Sequence, residues 1–372
     1  MGKENMLKIE YLKEKIDVYD LTVEGNHNFY ANGILVHNCQ EINLPTKPLN
    51  HIFDENGEIS LCTLSAINWG RIKNVSDFER VCNLAVRALD SLLDYQDYPI
   101  LAARKSTMGR RPLGIGIINF AYWLAKNDLT YQNITPEGLQ KIHEYAEAWS
   151  YYLIKASVDL AREKGGPIKI NETKYNQAIL PIDTYKKEVD ELVKPVYHMD
   201  WDALRQEMLV FGIRNSTLMA GMPAETSAQV SNSTNGIEPV RSLVTIKGSK
   251  EAGYVKQVVP EVRKLKNKYD LLWDQKSPEG YLKIMAVLQK FIDQGVSVNT
   301  SYNPEHYPID PITQMHKIPM SDLIRHIVIS YKWGIKQLYY FNTFDGAGEE
   351  ASPHLELERI NQDDEDCLSC KI

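Results

Sequence analysis

His37-Asn38-Cys39 is the triplet whose chemistry is most fully specified by residue type and order. An asparagine side-chain amide can attack its own backbone carbonyl and cleave the peptide bond that follows, provided the leaving carbonyl is polarised. His37 stands beside Asn38 as the proton donor. Cys39, just beyond the scissile bond, is a thiol nucleophile able to take an acyl group from another chain. A second thiol feature, Cys367 and Cys370, lies in the polar stretch QDDEDCLSCKI. Such a pair can form a disulfide and be regenerated by exchange. Its other use, half of a zinc site, lacks a nearby second ligand pair, so no metal is expected on this chain. At Pro223-Ala224-Glu225-Thr226-Ser227 a helix could open, and its N–H groups with the Thr226 and Ser227 hydroxyls would cradle a phosphate. Tyr339-Tyr340 closes an apolar run from Trp333, and taken alone is an ordinary strand or interface pair.

The composition narrows the partners. A formal net charge of -7 gives no general pull toward nucleic acid. Hydrophobic content of 43% and charged content of 24% suit a soluble globular protein, and 372 residues have room for one large domain or two to three ordinary ones. The Lys-rich start has no apolar run suited to export, and no later stretch is long enough to cross a membrane. A cytoplasmic protein without nucleic-acid or membrane partners is expected. Five cysteines, an odd and scattered set, make a poor disulfide scaffold.

The elements that must position these residues are partly legible. Alternation at Ile16, Val18, Asp20 and Thr22, a strand at 27–30 and the Asn32-Gly33 turn describe a small β unit, too short to bury its own core. Asn43 to Thr46 reads as loop or short strand, with a turn at 54–57 before the apolar 59–62. Ser76 and Glu79 fit a capping box opening a helix whose apolar face is Phe78, Cys82, Ala85, Leu89 and Leu92/Leu93. Cys82 is then a core residue. RRPLGIGIINFAYWLA reads as a closely packed loop feeding a helix. Thr135-Pro136 caps a long helix with the stripe Leu139, Ile142, Ala146, Trp149, Leu153, Ala156 and Leu160, ending at Gly165-Gly166. A further helix is expected over 200–208, an ambiguous strand over 283–291 and a strand over 295–299. The alternation indicates α/β architecture.

Residues 1–38 resemble the C-terminal piece of a split intein, through VYDLTV, HNF at 27–29, NGI at 32–34 and the terminal HN. The resemblance implies a small all-β (Hint-type) fragment in which Asn38 cyclises, His37 assists, Cys39 accepts the acyl group, and Asp20 and His27 support the last steps. The first splicing nucleophile would lie on another polypeptide, an N-terminal fragment carrying the N-terminal split intein.

From Cys39 onward the chain resembles the C-terminal half of the class I, aerobic ribonucleotide reductase large subunit. The motifs are CQEINLPTKPL, LCTLSAIN, RRPLGIG, MPAETSAQVSNSTNGIEP, KQLYYFNT and the terminal CKI. The family fold is a ten-stranded α/β barrel made from two parallel five-stranded halves, with a finger loop carrying a radical cysteine to its centre. This chain would hold the loop at 39–46, the second half-barrel to about residue 350, and a mobile redox tail at 351–372. The resemblance makes Cys39 the thiyl radical that takes the 3′ hydrogen, Glu41 the base for the 3′ hydroxyl, and Cys62 one of two cysteines that reduce the 2′ position. It makes Tyr339 and Tyr340 the radical relay, Cys367 and Cys370 the pair that re-reduces the site, and Ala224, Glu225, Thr226 and Ser227 the diphosphate site. Ala224 replaces a family serine, the tail spacing is tighter than usual, and His37 occupies the position of a family asparagine.

Implied partners are a metal-containing small subunit of the di-iron tyrosyl-radical kind, a thioredoxin or glutaredoxin reductant, a ribonucleoside diphosphate, and a second large subunit after splicing. Nucleotide effectors would bind the missing N-terminal half, and no cofactor is expected on this chain. Two other functions remain open: a splicing-deficient fragment serving as a structural partner, and a glycyl-radical or adenosylcobalamin reductase sharing the barrel. The tyrosine pair and thiol tail favour the first assignment over the last.

Overall fold

The computed structural model describes residues 28–31, 34–37, 41–249 and 253–344. At the start, β1 (Asn28–Ala31) and β2 (Ile34–His37) form an antiparallel hairpin in register from Asn28↔His37 to Ala31↔Ile34. It flanks Asn32-Gly33, as expected. The strands expected near Ile16 to Thr22 lie outside the described residues.

Beyond the loop at 41–62 come β3 (Thr63–Asn68), α1 (Asp77–Tyr95), α2 (Leu101–Arg110), β4 (Leu113–Ile118), α3 (Phe120–Lys126) and α4 (Pro136–Lys164). A strap containing α5 (Pro181–Thr184) leads to α6 (Trp201–Phe211) and α7 (Glu225–Val230). The hairpin β5 (Val244–Ser249) and β6 (Gly253–Val258), the single turn α8 (Val262–Leu265) and α9 (Glu279–Gln289) precede β7 (Val298–Tyr302), α10 (Met320–Lys332) and β8 (Leu338–Thr343).

One parallel ladder organises them. β3 pairs with β4 from Thr63↔Leu113 to Asn68↔Ile118. On the other side of β4, Leu113 and Ile115 N–H donate to the Thr217 and Leu218 carbonyls at 3.0 and 2.8 Å, with a parallel bridge at Ile115↔Met219. Gly221 then bridges Val296 in parallel, and β7 continues into a parallel pair with β8. Five parallel segments therefore lie in chain order: β3, β4, residues 217–221, the β7 strand and β8. Connections between parallel neighbours need crossovers, and the helices between them supply these, giving an α/β barrel-like fold.

The core lies between this ladder and its helices. Trp69 meets Phe78, Phe120, Trp123 and Trp149 edge-on at centroid distances of 5.5 to 6.4 Å. The α1 face buries Phe78, Cys82, Val86, Leu89 and Leu93; Val86 joins the expected stripe, Ala85 is half-buried against the core, and of Leu92/Leu93 it is Leu93 that turns inward. Cys82 is fully buried, and desolvation pushes its thiol well above the ordinary range, as suits a core residue. The α4 stripe is buried at every expected position; Thr135 Oγ1 accepts from Gly138 N–H at 3.1 Å, and Gly165 ends the helix with φ +78°. Asp200 caps α6 by accepting from Ala203 N–H at 2.9 Å.

Three expectations need correction. Ser76 makes no capping hydrogen bond and has helical φ/ψ; Asp77 instead accepts from Lys73 and Asn74 N–H, both at 3.0 Å. Leu113–Ile118 is a strand, not a loop, and all six residues are buried. A strand covered on both faces shows no alternation. Residues 283–291 belong mostly to helix α9, buried nearly all round, where periodicity cannot separate helix from strand. Residues 217–221, given no element from the sequence, form the middle of the ladder.

Candidate active site

Glu41 begins the described part of the loop and is 4% exposed. Its carbonyl accepts from Gly295 N–H at 2.7 Å, and its Oε2 accepts from Ser297 Oγ at 2.5 Å. Asn43 N–H donates to Gln294 Oε1 at 2.9 Å. The loop is thus laid along the entry of β7. Between these contacts Ile42 points at β4: a Cβ on Gly114 would lie 2.6 Å from Ile42 Cδ1 and 2.7 Å from Leu64 Cδ2. The glycine in LGIG is therefore where the strand receives the loop, a use of glycine for close approach.

The return leg of the loop is fixed by charge. Lys47 and Glu58 exchange backbone hydrogen bonds, both at 3.0 Å. The Glu58 side chain, 1% exposed, is paired with Arg110 and Lys169, with Lys47 at 3.4 Å. Arg110 also meets Glu172 at 2.6 Å. Burial alone would raise the Glu58 carboxyl, but the hydrogen bonds and charges of Lys169 and Arg110 outweigh it and hold it at about 2.

Tyr339 and Tyr340 lie on β8, half-buried, with ring centroids 3.9 Å apart and planes inclined by 44°. Asn299 on β7 accepts from Tyr340 N–H at 3.2 Å and donates to Glu238 at 2.6 Å, while Thr300 Oγ1 donates to the Tyr340 carbonyl at 3.4 Å. The tyrosine strand and the strand that grips Glu41 are neighbours. Lys336 joins their entries: its ammonium donates to the carbonyls of Ile292, Asp293 and Gln294. Burial lowers the Lys336 pKa, with the nearby Asp293 charge opposing. Asp293 in turn accepts from Leu218 N–H, Met219 N–H and Tyr175 Oη at 2.7 to 2.9 Å, which fixes the middle segment of the ladder.

Cys62 is exposed and immediately precedes β3, the far edge of the ladder from β8. Helix α7 opens at Glu225, as expected. Its entry differs in detail from a bare cradle: Ala224 N–H donates to Asn235 Oδ1 at 2.9 Å, and Ser227 Oγ donates back to the Ala224 carbonyl at 3.0 Å. The side chains of Glu225 and Thr226 lie outside the described residues, as do Asp20, His27, Asn38, Cys39, Cys367 and Cys370; His37 is described as the last residue of β2 only. Among the described residues no group of three or more His, Cys, Asp or Glu could hold a metal ion, and no helix is long and apolar enough to cross a membrane.

The structure therefore brings Glu41 to the β7 entry beside the strand of Tyr339 and Tyr340, and sets Cys62 at the opposite edge. Sequence reasoning passed over Ser297, Asn299, Lys336 and Glu58. Ser297 and Asn299 carried a weak signal, polar residues inside the apolar run around Val296 and Val298. Glu58 and Lys336 carried none, because their partners are remote in sequence.

The model of the ribonucleotide reductase barrel domain matches residues 19–341. The match begins inside the stretch assigned by resemblance to an intein, so it draws no boundary at Cys39 and lends no support to an intein fusion. The chain is 51% identical over 337 residues to the ribonucleoside-diphosphate reductase subunit alpha of Haemophilus influenzae, covering 90% of this chain and 42% of that one. It is 52% identical over 334 residues to ribonucleoside-diphosphate reductase 1 subunit alpha of Escherichia coli, again 90% and 42%. The subunit alpha of Enterobacteria phage T4 is 41% identical over 341 residues, with the same coverage. The chain thus spans less than half the length of these relatives. With a parallel α/β ladder of the kind such a barrel needs, and a family match over most of its length, the chain belongs to the ribonucleotide reductase barrel-domain family, as a domain of a class I large (alpha) subunit.

Proposed function

We propose that this chain is the C-terminal part of a reductase large subunit, made as a trans-splicing precursor, and that the assembled enzyme converts ribonucleoside diphosphates to 2′-deoxyribonucleoside diphosphates by a thiyl-radical route. The observation that carries the reductase reading is the seating of Glu41: a buried carboxylate held on the strand next to the tyrosine pair. The splicing reading rests on the residue order His37-Asn38-Cys39 alone. The ladder of five parallel segments would be the second half of a ten-stranded barrel, and the N-terminal fragment would supply the first.

In that enzyme Tyr340 and Tyr339 pass the oxidising equivalent from the small subunit toward Cys39. The Cys39 thiyl takes the 3′ hydrogen of the ribose. Its S–H bond is comparable in strength to the activated C–H bond, so the hydrogen can return later. Glu41 accepts the 3′ hydroxyl proton once the adjacent carbon is a radical. Cys62 and a cysteine of the other fragment give two electrons and two protons to the 2′ position; the hydroxyl leaves as water and the two thiols end as a disulfide. Cys367 and Cys370 re-reduce that disulfide by exchange and are themselves reduced by a thioredoxin or glutaredoxin dithiol. The diphosphate is assigned to residues 224–227. Because Ala224 N–H is engaged by Asn235 and the Ser227 hydroxyl proton by the Ala224 carbonyl, the remaining amides of the helix start carry that role.

Before this chemistry, His37 polarises the scissile carbonyl, Asn38 cyclises, and Cys39 takes the acyl group of the N-terminal fragment, with Asp20 and His27 assisting. Cys39 thus serves first as acyl acceptor and then as radical carrier. Intact mass after mixing with N-terminal large-subunit fragments tests the precursor assignment. Ligated residues 39–372 and a released 1–38 peptide are expected, with no release from Asn38→Ala. Ligation by Asn38→Ala would refute the splicing assignment.

A further inference from the structure

A carboxylate that takes a proton from substrate needs one oxygen presented and the other held. Ser297 Oγ donates to Glu41 Oε2 at 2.5 Å, and both residues are only 4% exposed. Ser297 is itself fixed, since its N–H donates to the Gly221 carbonyl at 2.9 Å. Two residues earlier, Gly295 N–H holds the Glu41 carbonyl at 2.7 Å. A Cβ on Gly295 would come within 3.2 Å of that oxygen and 3.4 Å of Glu41 Cα. Positions two apart on an extended strand share a face. Gly295-Val296-Ser297 therefore forms one cradle, bare where the Glu41 backbone approaches and hydroxylated where its side chain ends.

The surroundings sharpen the point. Val296 and Val298 are both fully buried, so Ser297 is a polar residue inside an apolar strand entry. A buried hydroxyl must find an acceptor, and the acceptor here is the base. Packing alone would be served by alanine, with no polar group to desolvate.

We infer that Ser297 is a positioning residue for the reductase reaction: its hydroxyl fixes the Glu41 carboxylate through Oε2 so that Oε1 meets the 3′ hydroxyl of the ribonucleotide. In the step itself the substrate O–H breaks and the proton goes to Oε1. Ser297 keeps its own proton throughout. Ser297 has this role only if Glu41 is the base, as proposed above.

The test uses the full-length ligated enzyme with its small subunit and a dithiol. Ser297→Ala, Ser297→Thr, Glu41→Gln and the Ser297→Ala/Glu41→Gln double variant are compared. Hydrogen bonds to charged groups are worth enough that Ser297→Ala should lower kcat on the order of ten-fold or more. KM for the ribonucleoside diphosphate should stay within about two-fold, as for an interaction realised in the chemical step. Ser297→Thr, which keeps the hydroxyl, should recover most of kcat. The double variant should be no slower than Glu41→Gln, since the two groups act as a unit. Wild-type kcat in Ser297→Ala alongside a slow Glu41→Gln, or a full further loss in the double variant, overturns the inference alone. Wild-type kcat in Glu41→Gln overturns the base assignment and Ser297's role with it.

Discussion

Replacing Glu58 by glutamine removes a carboxylate that meets Arg110, Lys169 and Lys47 together, at the return leg of the Glu41 loop. The depression of its carboxyl from 4.5 to about 2 corresponds to ~3 kcal/mol of stabilisation by linkage. That agrees with the ~3–5 kcal/mol lost when one partner of a buried ion pair is removed. For a folded unit on the order of 300 residues the unfolding entropy makes this about 5 °C in Tm. The sign follows from a depressed acid. The stabilisation is complete above the ordinary value of 4.5 and is lost as pH falls toward about 2. Thermal unfolding of the full chain and of Glu58→Gln, followed by circular dichroism at about pH 7, 5 and 3.5, reads this directly. The gap in Tm should be equal at the two higher values and narrower at the lowest. A gap below about 1 °C at neutral pH, or one that widens on acidification, refutes the ion-pair argument.

Gly116→Ala should destabilise the ladder by ~1–3 kcal/mol, because the new Cβ would lie 2.5 Å from Met222 Sδ and 2.8 Å from the Ala220 carbonyl, and the backbone oxygen cannot swing away. Denaturant unfolding checks it, and an unchanged midpoint would count against the close approach of β4 to residues 220–222. In ligated enzyme, Tyr340→Phe should abolish turnover while leaving ribonucleoside diphosphate binding intact, since it removes the phenolic O–H and keeps the ring contact. Near-normal turnover would take Tyr340 out of the radical path.

The helices were legible because their rules are local. Thr135-Pro136, the α4 stripe and Gly165 can be read from residues a few positions apart, and all three hold in the structure. The ladder was harder. Leu113–Ile118 and 217–221 are covered on both faces, so neither shows the alternation that marks a half-buried strand. The capping box failed at Ser76 because that residue already has helical φ/ψ and Glu79 N–H donates to its carbonyl, not its hydroxyl. Glu41 and the tyrosines were found by likeness of motif, whereas what holds them is non-local. Ser297 reaches Glu41 across more than two hundred residues of chain, and Lys169 reaches Glu58 across more than one hundred. Such pairs leave no spacing to read. The two glycines of LGIG were seen as close packing, but the chain they admit, Ile42 at one and Ala220 to Met222 at the other, became visible only in three dimensions.

The most direct measurement is product formation by the ligated enzyme: radiolabelled ribonucleoside diphosphate, small subunit and dithiol, with 2′-deoxyribonucleoside diphosphate resolved by chromatography. Multiple turnovers by the wild-type product, and none when Cys39→Ser is carried through a splicing step that still ligates, are the expected results. Ligated enzyme that binds both the small subunit and substrate yet forms no deoxyribonucleotide would contradict the proposed function of this chain.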